Sequence, residues 1–238
     1  MIEYRRIVKE NLGKLPDGKR LGWVMGTGRC GSASFWNILN KQVGVACEAE
    51  FKRCPWKVQV NGLIHNLVRM YGVAMFYKDV YLSIASAMWF LPYTDIIMDA
   101  IPDSKIVCLK RDKRGTVNSW IKKSVTPSGD FRNWFTAADS KYRGGRESKH
   151  TYYQYYRCFP HFDLPFEEAV EAYYDEYYRM SGEMEEKYPR NFKVYESPMV
   201  LNNHDYQVEA LSWLGVEDPV FHKIKRNESW QDMEEEKR

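Results

Sequence analysis

"GWVMGTGRCGSASFW", residues 22–36, runs from an apolar stretch through three glycines and an arginine into small hydroxyl residues and a helical pattern. Residues 21–27 read as a short buried strand. Residues 32–42 read as a helix with Phe35, Ile38 and Leu39 on one side. Between them, Gly26, Gly28 and Gly31 let the backbone turn tightly and approach a ligand without Cβ clashes. The helix that follows aims unsatisfied N–H groups and a positive dipole end at the same place. Arg29 adds a fixed charge and Ser32 a hydroxyl donor. Together they describe a cradle for an oxyanion.

Two familiar cradles do not fit. Gly26 to Gly31 matches the spacing GxxxxG, but Ser32 stands where an ATP-binding P-loop has lysine. No convincing apolar strand ends in the aspartate that would hold Mg²⁺ for phosphoryl transfer. A tyrosine-phosphatase loop also fails, because Trp36 and not arginine follows Cys30 after five intervening residues.

Outward from the loop, the chain alternates apolar and helical stretches. Residues 43–48 read as a second strand, 60–72 as a helix, 73–80 as a third strand and roughly 84–100 as a helix. The clearest strand is "SKIVCLKR", 104–111, with Ile106, Val107, Cys108 and Leu109 between charged ends, and 114–123 returns to helical spacing. Further on, 165–191 reads as a long helix, 192–196 as a strand and 204–216 as a helix ending near Gly215. Such alternation predicts an α/β fold of three layers around a mostly parallel sheet, with ligand at the carboxyl ends of the strands. Both junctions that carry glycine or arginine, 26–31 and 110–115, fall at such ends. Residues 124–165, rich in Gly, Ser, Arg and Tyr, read as an active-site loop or cap within one domain spanning 1–238, its core about 20–216.

Composition narrows the classes. The 238 residues are 44% hydrophobic and 28% charged, ordinary for a globular protein. A net charge of +3 is too small for a nucleic-acid footprint, so an anionic ligand must be caught by local charge. Five irregularly spaced cysteines make neither a disulfide framework nor a zinc site, which suits a reduced cytoplasmic interior. The charged opening residues do not read as a secretory signal, and no stretch reads as membrane-spanning.

The second junction, "PDSKIVCLKRDKRGTVNSW" (102–120), places Arg111 at a strand end and Ser119 about two helical turns on. A guanidinium and a hydroxyl so placed can grip one phosphate from two sides. Two anion grips at adjacent strand ends suit a nucleotide phosphorylated at both its 5′ and 3′ positions. At this point the chain resembles the sulfotransferases that use 3′-phosphoadenosine 5′-phosphosulfate (PAPS). The resemblance rests on "GTGRCGSAS" (26–34) and "LKRDKRGTVNSW" (109–120), and more loosely on "YESPMVLNNHDYQVEALSWLGV" (195–216). It covers roughly residues 20–216.

The resemblance implies a P-loop-like architecture and in-line transfer of a sulfuryl group from PAPS to a hydroxyl or amine, releasing PAP, with no metal. It implies that Thr27, Gly28, Arg29, Cys30, Gly31, Ser32 and Ala33 hold the 5′-phosphosulfate, and that Arg111 and Ser119 hold the 3′-phosphate. Arg29 would also act on the leaving group, where many cytosolic members carry lysine. The acceptor would be a small molecule, a carbohydrate or another hydroxyl-bearing compound, in an intracellular setting.

A proton acceptor is also required. Glu48, at the end of the second strand, is the first candidate, although Cys47 and Ala49 stand where a similar stretch in bacterial members has His and Pro. Asp79, at the end of "VAMFYKD", is the second. His65 in an apolar helical stretch and His150 beside "TYYQYYRCF" read more simply as structural. Tyrosines at 152–156 and at 173, 174, 177 and 178 read as core or interface before they read as stacking platforms for a base, and Lys223, Lys225 and Arg226 read as a solvated basic cluster. Two rivals remain: a nucleotide kinase of P-loop type, and a protein of this fold that binds PAP or another anion without turnover.

Overall fold

The computed structural model describes residues 15–49, 59–124, 162 and 164–224. Five strands form one sheet: β1 (Arg20–Gly26), β2 (Val45–Ala49), β3 (Leu82–Ser86), β4 (Lys105–Lys110) and β5 (Phe192–Glu196). Their order is β2-β3-β1-β4-β5, and every pair is parallel. The helices are α1 (Ser32–Asn40), α2 (Gln59–Phe76), α3 (Thr94–Ala100), α4 (Lys113–Ser124), α5 (Phe166–Lys187), α6 (Ser197–Asn202) and α7 (His204–Leu214).

Strands buried on both faces need apolar residues at consecutive positions, and β1 and β4 supply them. Trp23 and Met25, with Ile106 and Cys108, point into a core shared with α2, α3, α4 and α5. Val24, Val107 and Leu109 point the other way, into a core shared with α1, α6 and α7. The molecule is therefore three-layered, as the alternation of the sequence predicts. Edge strand β2 is held by α1: Trp36 Nε1 and Asn40 Nδ2 donate to Cys47 O at 2.6 and 2.8 Å, and Cys47 N donates to Asn40 Oδ1 at 2.9 Å.

This layering positions the site. After β1 the chain crosses to the α1 face, and after the adjacent β4 it crosses to the α4 face. Adjacent strands whose connections part to opposite faces leave a crevice at their carboxyl ends. The loop 26–31 and the turn at Arg111 border that crevice.

One stretch differs from the sequence reading. Residues 73–76 finish α2, and the third strand is Leu82–Ser86, followed by a 3-10 turn at Met88–Tyr93 before α3. Ala74 continues the apolar stripe of Leu67 and Met70 into the core, and this helical periodicity outweighs the local strand-like composition. The short helix α6, directly after β5, is also absent from the sequence reading. The expected cap at 124–165 lies, apart from its ends, outside the described residues, as do His150, the tyrosines from 152 to 156, Lys225 and Arg226. No described helix is long and apolar enough to cross a membrane.

Candidate nucleotide site

The loop after β1 is a strained backbone held from behind. Gly28, Arg29 and Gly31 take left-handed φ values of 72°, 56° and 90°. Turns that mix left- and right-handed residues are ones in which backbone N–H groups can form an anion nest. At Gly28 the requirement for glycine is also steric. A Cβ there would lie 2.8 Å from the Trp120 ring and 2.9 Å from Met88 Sδ. Gly31, the N-cap of α1, is pressed against Ser197 and Leu201 in the same way, at 2.7 and 2.8 Å. Ser32 and Ala33 follow as the first residues of α1, so the helix N-terminus opens toward the loop as the sequence predicts.

Cys30 turns inward and is fully buried among Val24, Phe35 and their neighbours. Burial pushes its thiol up to about 11, with backbone N–H groups opposing the shift. At neutral pH it is a packed, protonated thiol beneath the loop and not a nucleophile.

The structure brings the two predicted anion grips together. Arg29 Nε donates to Ser119 Oγ at 3.0 Å, and Arg111 Nη1 donates to Arg29 O at 3.4 Å. Arg29 is exposed and Arg111 half-buried, so both guanidinium groups border solvent. Asp112 braces the junction from outside: its carboxylate accepts from Gly115 N at 2.5 Å and lies 3.5 Å from Arg111 Nε. Arg29, Arg111 and Ser119, separated by up to 90 positions in the chain, thus form one cluster at the crevice.

Behind the cluster stands α5. Tyr173 Oη donates to Thr27 O at 3.0 Å, and Trp120 Nε1 donates to the same carbonyl at 3.2 Å. Tyr177 Oη accepts from Gly26 N at 2.9 Å and donates to Met88 O at 3.0 Å. Tyr178 Oη donates to Leu109 O at 2.8 Å, and Tyr174 Oη to Arg111 O at 2.6 Å. Burial raises the pKa of Tyr174, Tyr177 and Tyr178, so these hydroxyls remain donors at any ordinary pH. From the sequence these tyrosines read as core or interface. Their spacing 173, 174, 177, 178 on one helical face was a sign that they act as a set, but not of what they touch.

The proton-acceptor candidates fare differently. Glu48 sits near the carboxyl end of β2, but β3 separates β2 from β1. Glu48 is level with Ala85, which is level with Trp23, three residues short of Gly26. At about 4.8 Å between strands and 3.3 Å per residue, it stands roughly 10 Å across and 10 Å below the loop. Its carboxylate meets Arg69 Nε at 2.6 Å. Asp79 is not at a strand end. It lies in the turn before β3, beside Val80, whose N–H donates to Tyr77 O at 3.1 Å. That turn is at the amino end of the sheet, about 20 Å from the loop by the rise of β1. The strand expected at 73–80 had placed it at the wrong end, and Asp79 leaves the candidate site. His65 lies within α2. Among the described residues, no group of three or more His, Cys, Asp or Glu could hold a metal ion.

No protein-family profile matches the chain, and no curated protein does. Among solved structures, it is similar to the crystal structure of a sulfotransferase from Alicyclobacillus acidocaldarius. The two share 17% sequence identity over 92% of this chain and 89% of that one, with a TM-score of 0.52. At that identity the likeness is one of fold: an all-parallel five-stranded α/β sheet of the architecture found in that sulfotransferase.

Proposed function

We propose that this protein transfers a sulfuryl group from PAPS to a hydroxyl or amine of an acceptor. The observation that carries the reading is the convergence of Arg29, Arg111 and Ser119 on the crevice between β1 and β4. The donor set fits the nucleotide. A nest, a helix N-terminus and two bordering guanidinium groups favour a ligand with more than one anionic group, and the residue after Gly31 is serine, where a P-loop kinase needs lysine.

PAPS would bring a sulfuryl group already activated for in-line displacement by its anhydride bond to phosphate. The chain's own residues do the rest. Thr27 to Ala33 would hold the 5′ end through backbone N–H groups, with Arg29 stabilising charge on the leaving phosphate. Arg111 and Ser119 would hold the 3′-phosphate and fix the nucleotide's direction in the crevice. Glu48, one-third exposed and paired with Arg69, is the proposed proton acceptor, a role that requires the sulfuryl end of PAPS and the acceptor's hydroxyl to lie on the β2 side of the loop, within its reach.

Incubation with PAPS and panels of sugars, phenols, aliphatic alcohols and peptides, followed by mass spectrometry, tests the activity. The expected result is PAP together with a sulfated acceptor from one panel. PAP binding with no sulfated product from any panel would support the rival binding module of the same fold.

A further inference from the structure

The parallel ladders of β1 and β4 stop one residue before each anion grip. The β1–β4 pairing ends at Gly26 with Leu109, and the β4–β5 pairing ends at Lys110 with Glu196. Thr27 and Arg111 are therefore the first residues beyond the sheet, where ladder bonds no longer fix the backbone. Tyr173 and Tyr174, adjacent on α5, reach those two residues, donating to Thr27 O at 3.0 Å and to Arg111 O at 2.6 Å. Each hydroxyl continues one strand's anchoring by one residue.

We propose that Tyr173 and Tyr174 are positioning residues that set the two halves of the nucleotide site separately, Tyr173 the 5′ loop and Tyr174 the arginine that reads the 3′-phosphate. The inference rests on the nucleotide reading given above. The two anchors are not equivalent. Thr27 O also receives Trp120 Nε1 at 3.2 Å, so it keeps a donor when Tyr173 loses its hydroxyl. Arg111 carries its guanidinium at the end of a long side chain, so a small backbone shift at its carbonyl is passed to the phosphate contact. Misplacement by about 1 Å in such a site is enough to cost orders of magnitude. Tyr174 itself is held in place by packing. It is buried, and its ring meets Tyr178 edge-on at 4.6 Å between centroids. Burial, followed by the nearby carboxylates Glu196, Asp112 and Asp175, pushes its phenol up to about 12, so it stays protonated and donating.

Calorimetric titration of wild type, Tyr174→Phe and Tyr173→Phe with PAP and with AMP separates positioning from mere stability. The wild type is expected to bind PAP more tightly than AMP. Tyr174→Phe keeps the ring packing and should weaken PAP about tenfold, equivalent to ~1.4 kcal/mol, while AMP affinity stays the same. The unchanged AMP affinity also shows that the variant is folded. Tyr173→Phe should weaken both nucleotides alike and leave their ratio intact. A Tyr174→Phe protein with the wild-type ratio, or one that loses both nucleotides equally, would overturn the inference while leaving the nucleotide reading in place. A wild type that does not prefer PAP to AMP would remove the nucleotide reading itself, and the inference with it.

Discussion

The carboxyl ends of β1 and β4 and the carboxyl end of β2 are built by different means. At β1 and β4, four tyrosine hydroxyls and an indole N–H pin backbone atoms of Gly26, Thr27, Leu109 and Arg111 and of Met88 beside them. At β2, on the edge of the sheet, Glu48 meets Arg69 in a partly exposed ion pair, the one contact of its carboxylate among the described residues. The first region is over-determined and holds its residues before any ligand arrives. The second leaves its carboxylate adaptable, since exposed ion pairs are worth little by themselves. A rigid centre suits recognition of a fixed nucleotide, and a softer edge suits a group that must meet an acceptor and then exchange a proton with solvent.

The sharpest division between the two regions comes from Glu48→Gln. It should lower kcat by about 10²–10⁴ while PAP affinity measured by calorimetry stays at the wild-type value. Loss of PAP binding in that variant would mean the two ends are not separate. Arg29→Ala should cut kcat by about 10²–10³, the usual loss for one well-placed charge-stabilising donor. Asp79→Asn, at the opposite end of the sheet, should change neither number, and any large effect would revive the discarded assignment.

Rigidity at the centre is tested by Gly28→Ala. The added Cβ must take a left-handed backbone and meet Trp120 and Met88, so unfolding in urea should show a loss of about 1–3 kcal/mol. A neutral result would mean that the loop is softer than its contacts indicate. A further effect is on pH. Burial raises Cys30 to about 11 and Cys108 to about 12 from an ordinary 9.0. Unfolding above pH 9 therefore releases protons that the folded protein retains. Stability should be level from about pH 7 to 9 and fall as pH rises toward 11, seen as a declining Tm. A flat profile across that window would show the thiols to be less buried than described.

The parts of the structure legible in the sequence share one property: their signal is local. The loop glycines, the run Ile106–Leu109 and the Gly215 helix end, with its left-handed φ of 93°, each declare themselves within a few residues. The spacing of Arg111 and Ser119 was legible too, since both lie along one strand–helix unit. Long-range pairings were not. Nothing near Arg29 announces that its guanidinium meets Ser119, and nothing near Tyr174 names Arg111 O as its acceptor. The misplaced third strand shows the same limit. "VAMFYKDV" has strand-like composition, but the helix stripe from Leu67 through Met70 to Ala74 reaches the core and decides the matter. That error then carried Asp79 to the wrong end of the sheet.

A thermal-shift series with PAP, ADP and ATP, each with and without Mg²⁺, tests the nucleotide site most directly in the wild type and in Arg111→Ala. A ligand at 100 times its Kd adds about 2.7 kcal/mol, which for a domain of this size raises Tm by roughly 5–10 °C. The expected result is that PAP stabilises the wild type without metal, ADP does so much less, and Arg111→Ala erases the difference. Stabilisation by ATP with Mg²⁺ and silence from PAP would contradict it and give the site to a phosphotransferase.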